Sequence, residues 1–279
     1  MTIQFPITFS KMSGTGNDFI LIDHRTPFLD REEMPGFARA VCERRVSAGA
    51  DGLILIENSD TADFRWQFLN GDGSWAEMCG NGARCAARFA FALGIAPERM
   101  RFETVAGLIE AEVTDQSVKI KMTPPNGLRL EEIIEVNGQG KVVHSLNTGV
   151  PHAVLFMDDV QQAPVLELGR SIRFHEHFQP AGTNVNFVQQ GGNGLIVRTY
   201  ERGVEGETLA CGTGAVAAAI IAGILGKVAP PVAVTTSGGE QLIIHYRLAG
   251  QEISEVYLEG PARFIYEGQL HSEALRMKS

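Results

Sequence analysis

Apolar and polar positions along the chain fall into short blocks. Runs such as Phe19–Asp23, Gly52–Glu57, Phe64–Leu69, Val113–Met122, Ala153–Phe156, Asn184–Val188 and Leu195–Tyr200 are rich in β-branched and aromatic residues and read as strands. Gly and Pro punctuate them at Pro124-Pro125, Asn137-Gly138 and Gly191-Gly192. Two segments break this pattern. Cys79–Gly94 (CGNGARCAARFAFALG) and Cys211–Gly226 (CGTGAVAAAIIAGILG) are Ala-rich and predict helices ended by Gly94 and Gly226. Their mostly apolar circumference predicts that each helix is buried. A further helix is expected around Arg31–Arg45.

The two Ala-rich segments match at 9 of 16 positions without a gap, 132 residues apart. The same offset carries Thr104 onto Thr236, Gly107 onto Gly239 and Asn70 onto Arg202. Thr15-Gly16-Asn17 matches Thr148-Gly149-Val150 one residue out of that register. Shared Ala alone would say little. A shared Cys-Gly-x-Gly start and a shared Leu-Gly end argue for two homologous halves of about 130 residues. The expected class is mixed α/β (α+β). The expected halves are residues 1–123, carrying Cys79 and rejoined by 265–279, and residues 124–264, carrying Cys211. Thr123–Gly127 is the candidate hinge.

Composition narrows the function classes. With 24 Lys and Arg against 33 Asp and Glu, the net charge is −9, which disfavours nucleic acid and anionic membrane as partners. The longest apolar run, Gly212–Gly226, is shorter than the ~18–20 residues of a membrane span. MTIQFPITFSKMSG has no basic start followed by an apolar stretch, so a secretory signal is not expected. Four cysteines without a CxxC pair disfavour a disulfide scaffold or a zinc ribbon. A cytoplasmic location is expected, and the question becomes which thiol is reactive.

Cys79 and Cys211 each stand at the predicted N-terminus of a helix. Unpaired backbone N–H groups and the positive dipole end favour a thiolate there. The glycines that follow let a ligand such as a carboxylate approach those N–H groups. Two such sites related by a pseudo-twofold suit inversion of a carbon bearing hydrogen: one thiolate takes the proton from one face and the other thiol returns one from the opposite face. No cofactor motif is visible, since the chain has neither a P-loop nor a strand–GxGxxG–helix arrangement. Cys42 and Cys85 read as small core residues. His175-Glu176-His177 reads as a loop, because side chains alternate along an extended chain and do not converge on a metal. Asp115, Asp158 and Asp159 read as loop or turn residues.

KMSGTGNDFILID (Lys11–Asp23), FLNGDGSWAEMCGNGARC (Phe68–Cys85), NTGVPH (Asn147–His152), GTNVNFV (Gly182–Val188) and YERGVEGETLACGTGA (Tyr200–Ala215) resemble the diaminopimelate epimerase family, in the family's order and over most of the chain. The resemblance implies two similar domains, each a β-barrel-like sheet around a central helix, usually assembled as a homodimer. It implies interconversion of LL- and meso-diaminopimelate without pyridoxal phosphate or another cofactor, and no metal. By the same resemblance, Cys79 and Cys211 are the acid/base pair, His152 partners the first cysteine and Glu201 the second. Asn70, Gly80, Asn81, Glu201, Arg202, Gly212 and Thr213 would hold the ammonium and carboxylate at the reacting centre. Asn17, Asn184 and Arg202 would hold the distal amino-acid group.

Two positions depart from the family. Val150 stands where many members have Asn, and Gly52 where some have Gln; both bear on the distal group. A related racemase acting on another amino acid therefore stays open as an alternative. The paired distal residues Asn17, Asn184 and Arg202 favour a substrate with an amino acid at both ends. A non-catalytic binding protein or a thiol redox switch is the alternative of a different class, and it predicts no proton exchange.

Overall fold

The computed structural model describes residues 3–192, 194–250 and 252–275. The chain forms two compact units, Met1–Ile120 with Gly260–Ser279 and Lys121–Glu259. Their borders fall at 120/121 and 259/260, whereas the sequence pattern put them at 123/124 and 264/265. Residues 276–279 of the expected C-terminal return lie outside the described residues.

The first unit contains β1 (Ile7–Gly14), β2 (Asn17–Asp23), α1 (Met34–Cys42), β3 (Gly52–Glu57), β4 (Phe64–Asn70), α2 (Gly80–Ala92), β5 (Arg99–Thr104), β6 (Gly107–Thr114) and β7 (Ser117–Lys121). The second contains β8 (Asn126–Val136), β9 (Gln139–Asn147), β10 (Pro151–Phe156), α3 (Val165–Arg173), β11 (Asn184–Gly191), β12 (Gly194–Glu201), β13 (Gly206–Thr208), α4 (Gly212–Ile224), β14 (Val232–Thr236), β15 (Gln241–Ala249) and β16 (Glu252–Pro261). The last strand, β17 (Arg263–Leu270), pairs antiparallel with β1 of the first unit.

The two units share one pairing pattern. From β1 to β7 the successive pairs run antiparallel, parallel, antiparallel, parallel, antiparallel and antiparallel. The series β9–β10–β11–β12–β14–β15–β16 repeats that order. β8 pairs with β9 as β17 pairs with β1. Each parallel pair is bridged by a helix, as parallel strands require.

Both sheet faces are covered, which explains why β2 and β3 read as continuous apolar runs instead of alternating ones. Ile20, Ile22, Leu53 and Leu55 pack with Phe37 and Val41 of α1. On the opposite face, Phe19 and Ile54 lie against the first turn of α2. In the second unit the α3 side is closed by Val165 and Ile172 against Leu155, Phe187 and Tyr200. α2 and α4 are the enclosed helices. α2 contacts β1, β2, β3 and β6, and α4 contacts β9, β10, β11, β12, β14 and β15. Small side chains are what such enclosure permits: Ala83, Ala86, Ala87 and Ala90 of α2 and Ala215, Ala217, Ala218, Ala219 and Ala222 of α4 are buried.

Three expectations change. Val113–Met122 is not one strand: Asp115, at φ 50°, turns the chain between β6 and β7, and Asp tolerates that conformation well. The Arg31–Arg45 helix is shorter, Met34–Cys42. α3 was absent from the sequence pattern. Its apolar positions Val165, Leu168 and Ile172 are sparse among charged residues.

An internal carboxylate ties β3 to its neighbours. Glu57 Oε1 accepts from His24 Nδ1 at 3.0 Å, and Oε2 accepts from Arg65 Nε at 3.0 Å and Gln67 Nε2 at 2.9 Å. His24 Nε2 accepts from the backbone N–H groups of Phe28 and Leu29, so the ring proton is on Nδ1. Burial opposes ionisation of Glu57, but the hydrogen bonds from His24, Gln67 and Arg65 outweigh it and bring the carboxyl from 4.5 down to about 2. An unfolded Glu titrates near 4.5, so this contribution is complete above that pH and is lost as pH falls toward 2. Glu57→Gln should cost on the order of 2–3 kcal/mol at pH 7, with the difference from wild type closing below pH 4.5. Urea unfolding midpoints across that range test it; a difference that does not vary with pH would refute it.

Candidate active site

α2 and α4 are equivalent to the residue. Each is 13 residues long and begins after an extended cysteine, Cys79 at φ −145°, ψ 118° and Cys211 at φ −123°, ψ 105°. The Cys79 carbonyl accepts from Ala83 N at 2.8 Å and the Cys211 carbonyl from Ala215 N at 2.9 Å, closing the first turns. Both helices end at glycines in the left-handed region, Gly94 at φ 65° and Gly226 at φ 69°. Neither N-cap makes a side-chain capping bond, and neither first turn contains an acid. The sequence Cys-Gly-x-Gly-Ala thus places a thiol beside the N–H groups of Gly80 and Asn81 in one unit and of Gly212 and Thr213 in the other. Those donors and the dipole end favour an anion.

The thiols divide into two kinds. Cys79 and Cys211 are half-buried, while Cys42 and Cys85 are buried. Burial pushes the Cys42 and Cys85 thiols up to about 12. Those two are packing residues, as expected from their positions. Cys211 Sγ lies 3.5 Å from Thr213 Oγ1 and borders a recess lined also by Thr199, Thr208 and Ser237.

In the first unit an amide chain leads away from α2. The fully buried Arg84 donates to Asn81 Oδ1 (2.9 Å), Asn81 Nδ2 donates to Asn17 Oδ1 (2.6 Å), and Asn17 Nδ2 donates to Asp51 Oδ2 (3.1 Å). Arg84 also bonds Thr15 Oγ1 and the Gly80 carbonyl (3.2 Å). Asp51 is held by Arg44, which also grips Asp18. The amide orientations of Asn81 and Asn17 are therefore set by a fixed cation. Asn70, at the end of β4 opposite Gly52, donates to Ser74 Oγ at 3.0 Å.

In the second unit His152 lies beside Asn184 in the β10–β11 ladder. Asn184 Oδ1 accepts from the Arg202 backbone N–H at 2.7 Å, and Arg202 Nη1 donates to the Ala181 carbonyl at 3.0 Å. The bonds keep Arg202 at the end of β12 with guanidinium donors to spare. Thr148 donates to the Thr213 carbonyl at 2.9 Å, tying the loop before β10 to the first turn of α4. Burial raises the Glu201 carboxyl, with Thr208 working the other way. Burial, reinforced by the Arg202 charge, brings His152 down to about 3, so its imidazole is neutral at physiological pH.

The ladders correct one alignment. Gly52 faces Asn70, and Asn184, in the matching place of β11, faces Glu201 one residue beyond the Val185–Tyr200 pair. Asn70 therefore corresponds to Glu201, not to Arg202. His152 corresponds to Phe19, since each stands next to that same β3 or β11 position. The first unit thus brings together Cys79, Gly80, Asn81 and Asn17, with Asn70 on β4. The second brings together His152, Asn184, Glu201, Arg202, Cys211, Gly212 and Thr213. Val150 is half-buried, and its carbonyl accepts from Thr148 N at 3.2 Å.

Sequence reasoning missed Asn186 and Thr199. Asn186 Oδ1 accepts from Thr199 Oγ1 at 2.9 Å, and its Nδ2 donates to His152 Nδ1 at 3.1 Å and the Ala153 carbonyl at 3.0 Å. The available signal was alternation: Asn184 and Asn186 share one face at the start of a strand, between the apolar Val185, Phe187 and Val188. His175 and His177 bond the Glu135 carbonyl and Glu132 respectively. Among the described residues no group of three or more His, Cys, Asp or Glu could hold a metal ion, and no helix is long and apolar enough to cross a membrane.

Comparison with known proteins gives the arrangement a lineage. Residues 9–128 and 144–265 match the family model "Diaminopimelate epimerase". The chain is 49% identical to the diaminopimelate epimerase of Aquifex aeolicus, over 96% of this chain and 99% of that protein. It is 47% identical to that of a Hydrogenobaculum species, over 95% and 98%. In three dimensions it resembles a phenazine biosynthesis protein of the PhzF family from Bacillus anthracis, with a TM-score of 0.70 at 13% identity over 96% of this chain and all of that one. It also resembles a hydroxyproline epimerase from Agrobacterium vitis, with a TM-score of 0.67 at 18% identity over 97% and 92%. The distant likenesses establish the fold, which hosts several chemistries; the near-full-length identities establish more, and the chain belongs to the diaminopimelate epimerase family.

Proposed function

We propose that this chain interconverts LL- and meso-diaminopimelate by proton transfer at the α-carbon, with Cys79 and Cys211 serving opposite faces and with no cofactor or metal. The observation that carries the reading is the matched pair of half-buried cysteines, each at the uncapped start of an equivalent enclosed helix. One thiolate removes the α-proton while the electron pair moves toward the carboxylate. The other thiol then protonates the carbon from the far side. First-turn N–H groups of α2 and α4 and the Arg202 guanidinium would stabilise the carboxylate as its charge grows. His152 would partner Cys79 and Glu201 would partner Cys211. Asn70 and Glu201 would hold the ammonium group.

Asn17, Asn184 and Arg202 would receive the distal amino-acid group. Asn17 and Asn81 each retain an amide N–H after their internal bonds, so both can still donate to a ligand. The same reading makes the protein a cytoplasmic homodimer, supported by family membership and by reactive thiols that need a reducing compartment. The net charge of −9 supports a small-molecule substrate over nucleic acid or an anionic membrane.

Two tests follow from this chemistry. Cys79→Ala and Cys211→Ala should each lower kcat for LL-diaminopimelate by roughly 10²–10⁴-fold or more, read by chiral chromatography of the product. Full activity in either variant would refute the two-thiol scheme. Wild-type turnover of proline or histidine with none of diaminopimelate would keep the chemistry and move the substrate. Iodoacetamide at neutral pH should modify Cys79 and Cys211, slowed by diaminopimelate, and spare Cys42 and Cys85, whose thiols titrate near 12. Peptide mapping that finds Cys42 or Cys85 labelled first would contradict it.

A further inference from the structure

Matching places in the two units carry opposite chemistry. In the first unit Phe19, Ile54 and Phe68 meet beneath the start of α2, all buried, with Phe19 and Phe68 edge to face at 5.9 Å. Ile54 faces Phe68 across β3–β4, as Asn186 faces Thr199 across β11–β12. The second unit thus replaces an apolar trio by His152, Asn186 and Thr199, which are equally buried. The fold itself does not need polar groups there, and burying them costs stability unless every one is bonded. One is not: His152 Nε2 is buried without a hydrogen-bond partner among the described residues.

The bonds determine which ring nitrogen carries the proton. The Ala153 carbonyl can only accept, so the nearby end of the Asn186 side chain is its NH₂ group. That same NH₂ donates to His152 Nδ1, and Thr199 holds the other end by donating to Oδ1. Nδ1 is therefore an acceptor, and a neutral imidazole must then carry its proton on Nε2. The low folded value of the ring, set by burial and Arg202, keeps it neutral. Gly214 makes room for the arrangement: a Cβ there would collide with Asn186 Oδ1 and stand 3.3 Å from Cys211 Sγ.

We propose that Asn186, anchored by Thr199, is a positioning residue that locks His152 in the Nε2–H form, so that His152 serves as a hydrogen-bond donor to an anion, a thiolate or a substrate carboxylate, and not as a proton acceptor. The inference rests on the epimerase reading for its consequence in turnover, but the tautomer is a property of the resting protein and is measured without substrate.

The test is two-dimensional ¹H–¹⁵N NMR of histidine-labelled protein, with His152 assigned through His152→Gln. Wild type should show a protonated Nε2 and an unprotonated Nδ1 from pH 6 to 8. Asn186→Asp, which turns the donor into an acceptor, should move the proton to Nδ1 and lower kcat roughly tenfold or more, with a smaller effect on KM. Thr199→Val, milder and less disruptive to folding, should keep the tautomer, which the Ala153 carbonyl still fixes, and lower kcat in the same direction by loosening Asn186. A protonated Nδ1 in wild type overturns the proposal whatever the variants do. An unchanged tautomer and kcat in Asn186→Asp, or an unchanged kcat in Thr199→Val, overturns it too. Wild type carrying the expected tautomer but inactive on diaminopimelate would refute the functional reading and leave the positioning role standing.

Discussion

The structure depends on a helix that must start inside a sheet. α2 and α4 are enclosed by strands along their length, and their half-buried starts at Cys79–Gly80 and Cys211–Thr213 have no capping side chain to satisfy the leading N–H groups. Enclosure demands small side chains along the helix. The bare first turn demands an anion or a polarisable group in front of it. Cysteine followed by glycine meets both demands: a thiol at the N-cap, then backbone with nothing in the way. The site in each unit thus follows from the way its sheet is closed.

Duplication supplied the frame twice, and the halves then diverged around it. The first half invests in fixed charge and amides: Arg84 orients Asn81, which orients Asn17, which bonds Asp51. The second half has Val216 in the place of Arg84 and puts titratable groups on its strands. His152 takes the place of Phe19, and Glu201 that of Asn70. Unequal surroundings bias which thiol holds the proton, but a two-thiol inversion does not itself need that bias, because thiols of equal affinity still populate the singly protonated pair.

Much of this was legible in the sequence because it is written in spacing. Cys79 and Cys211 with their glycines announce both helix starts, and the 132-residue offset announces the duplication. The enclosed helices were readable from their Ala content. What was not readable depends on pairing register. The match of Asn70 with Arg202 fails by one residue because β4 and β12 differ in offset from the helices, and only the ladders show it. Val113–Met122 looked continuous because its turn at Asp115 involves neither Gly nor Pro. Asn186 and Thr199 were invisible as a pair because nothing local says that the two face each other across antiparallel strands. β17 belongs to the first unit through its pairing with β1, a contact between the two ends of the chain.

The central claim is that two thiols act on opposite faces of one carbon, and the isotopic fate of the α-hydrogen tests it most directly. Protiated LL-diaminopimelate is incubated with the protein in D₂O, and both stereoisomers are analysed by mass spectrometry at a few per cent conversion. The account predicts that the meso product carries deuterium at the inverted carbon while the remaining LL substrate keeps its protium, since the proton leaves to one thiol and the deuteron arrives from the other. Meso product that retains the original protium at early conversion would mean that one group both removes and returns the hydrogen, and would contradict the account.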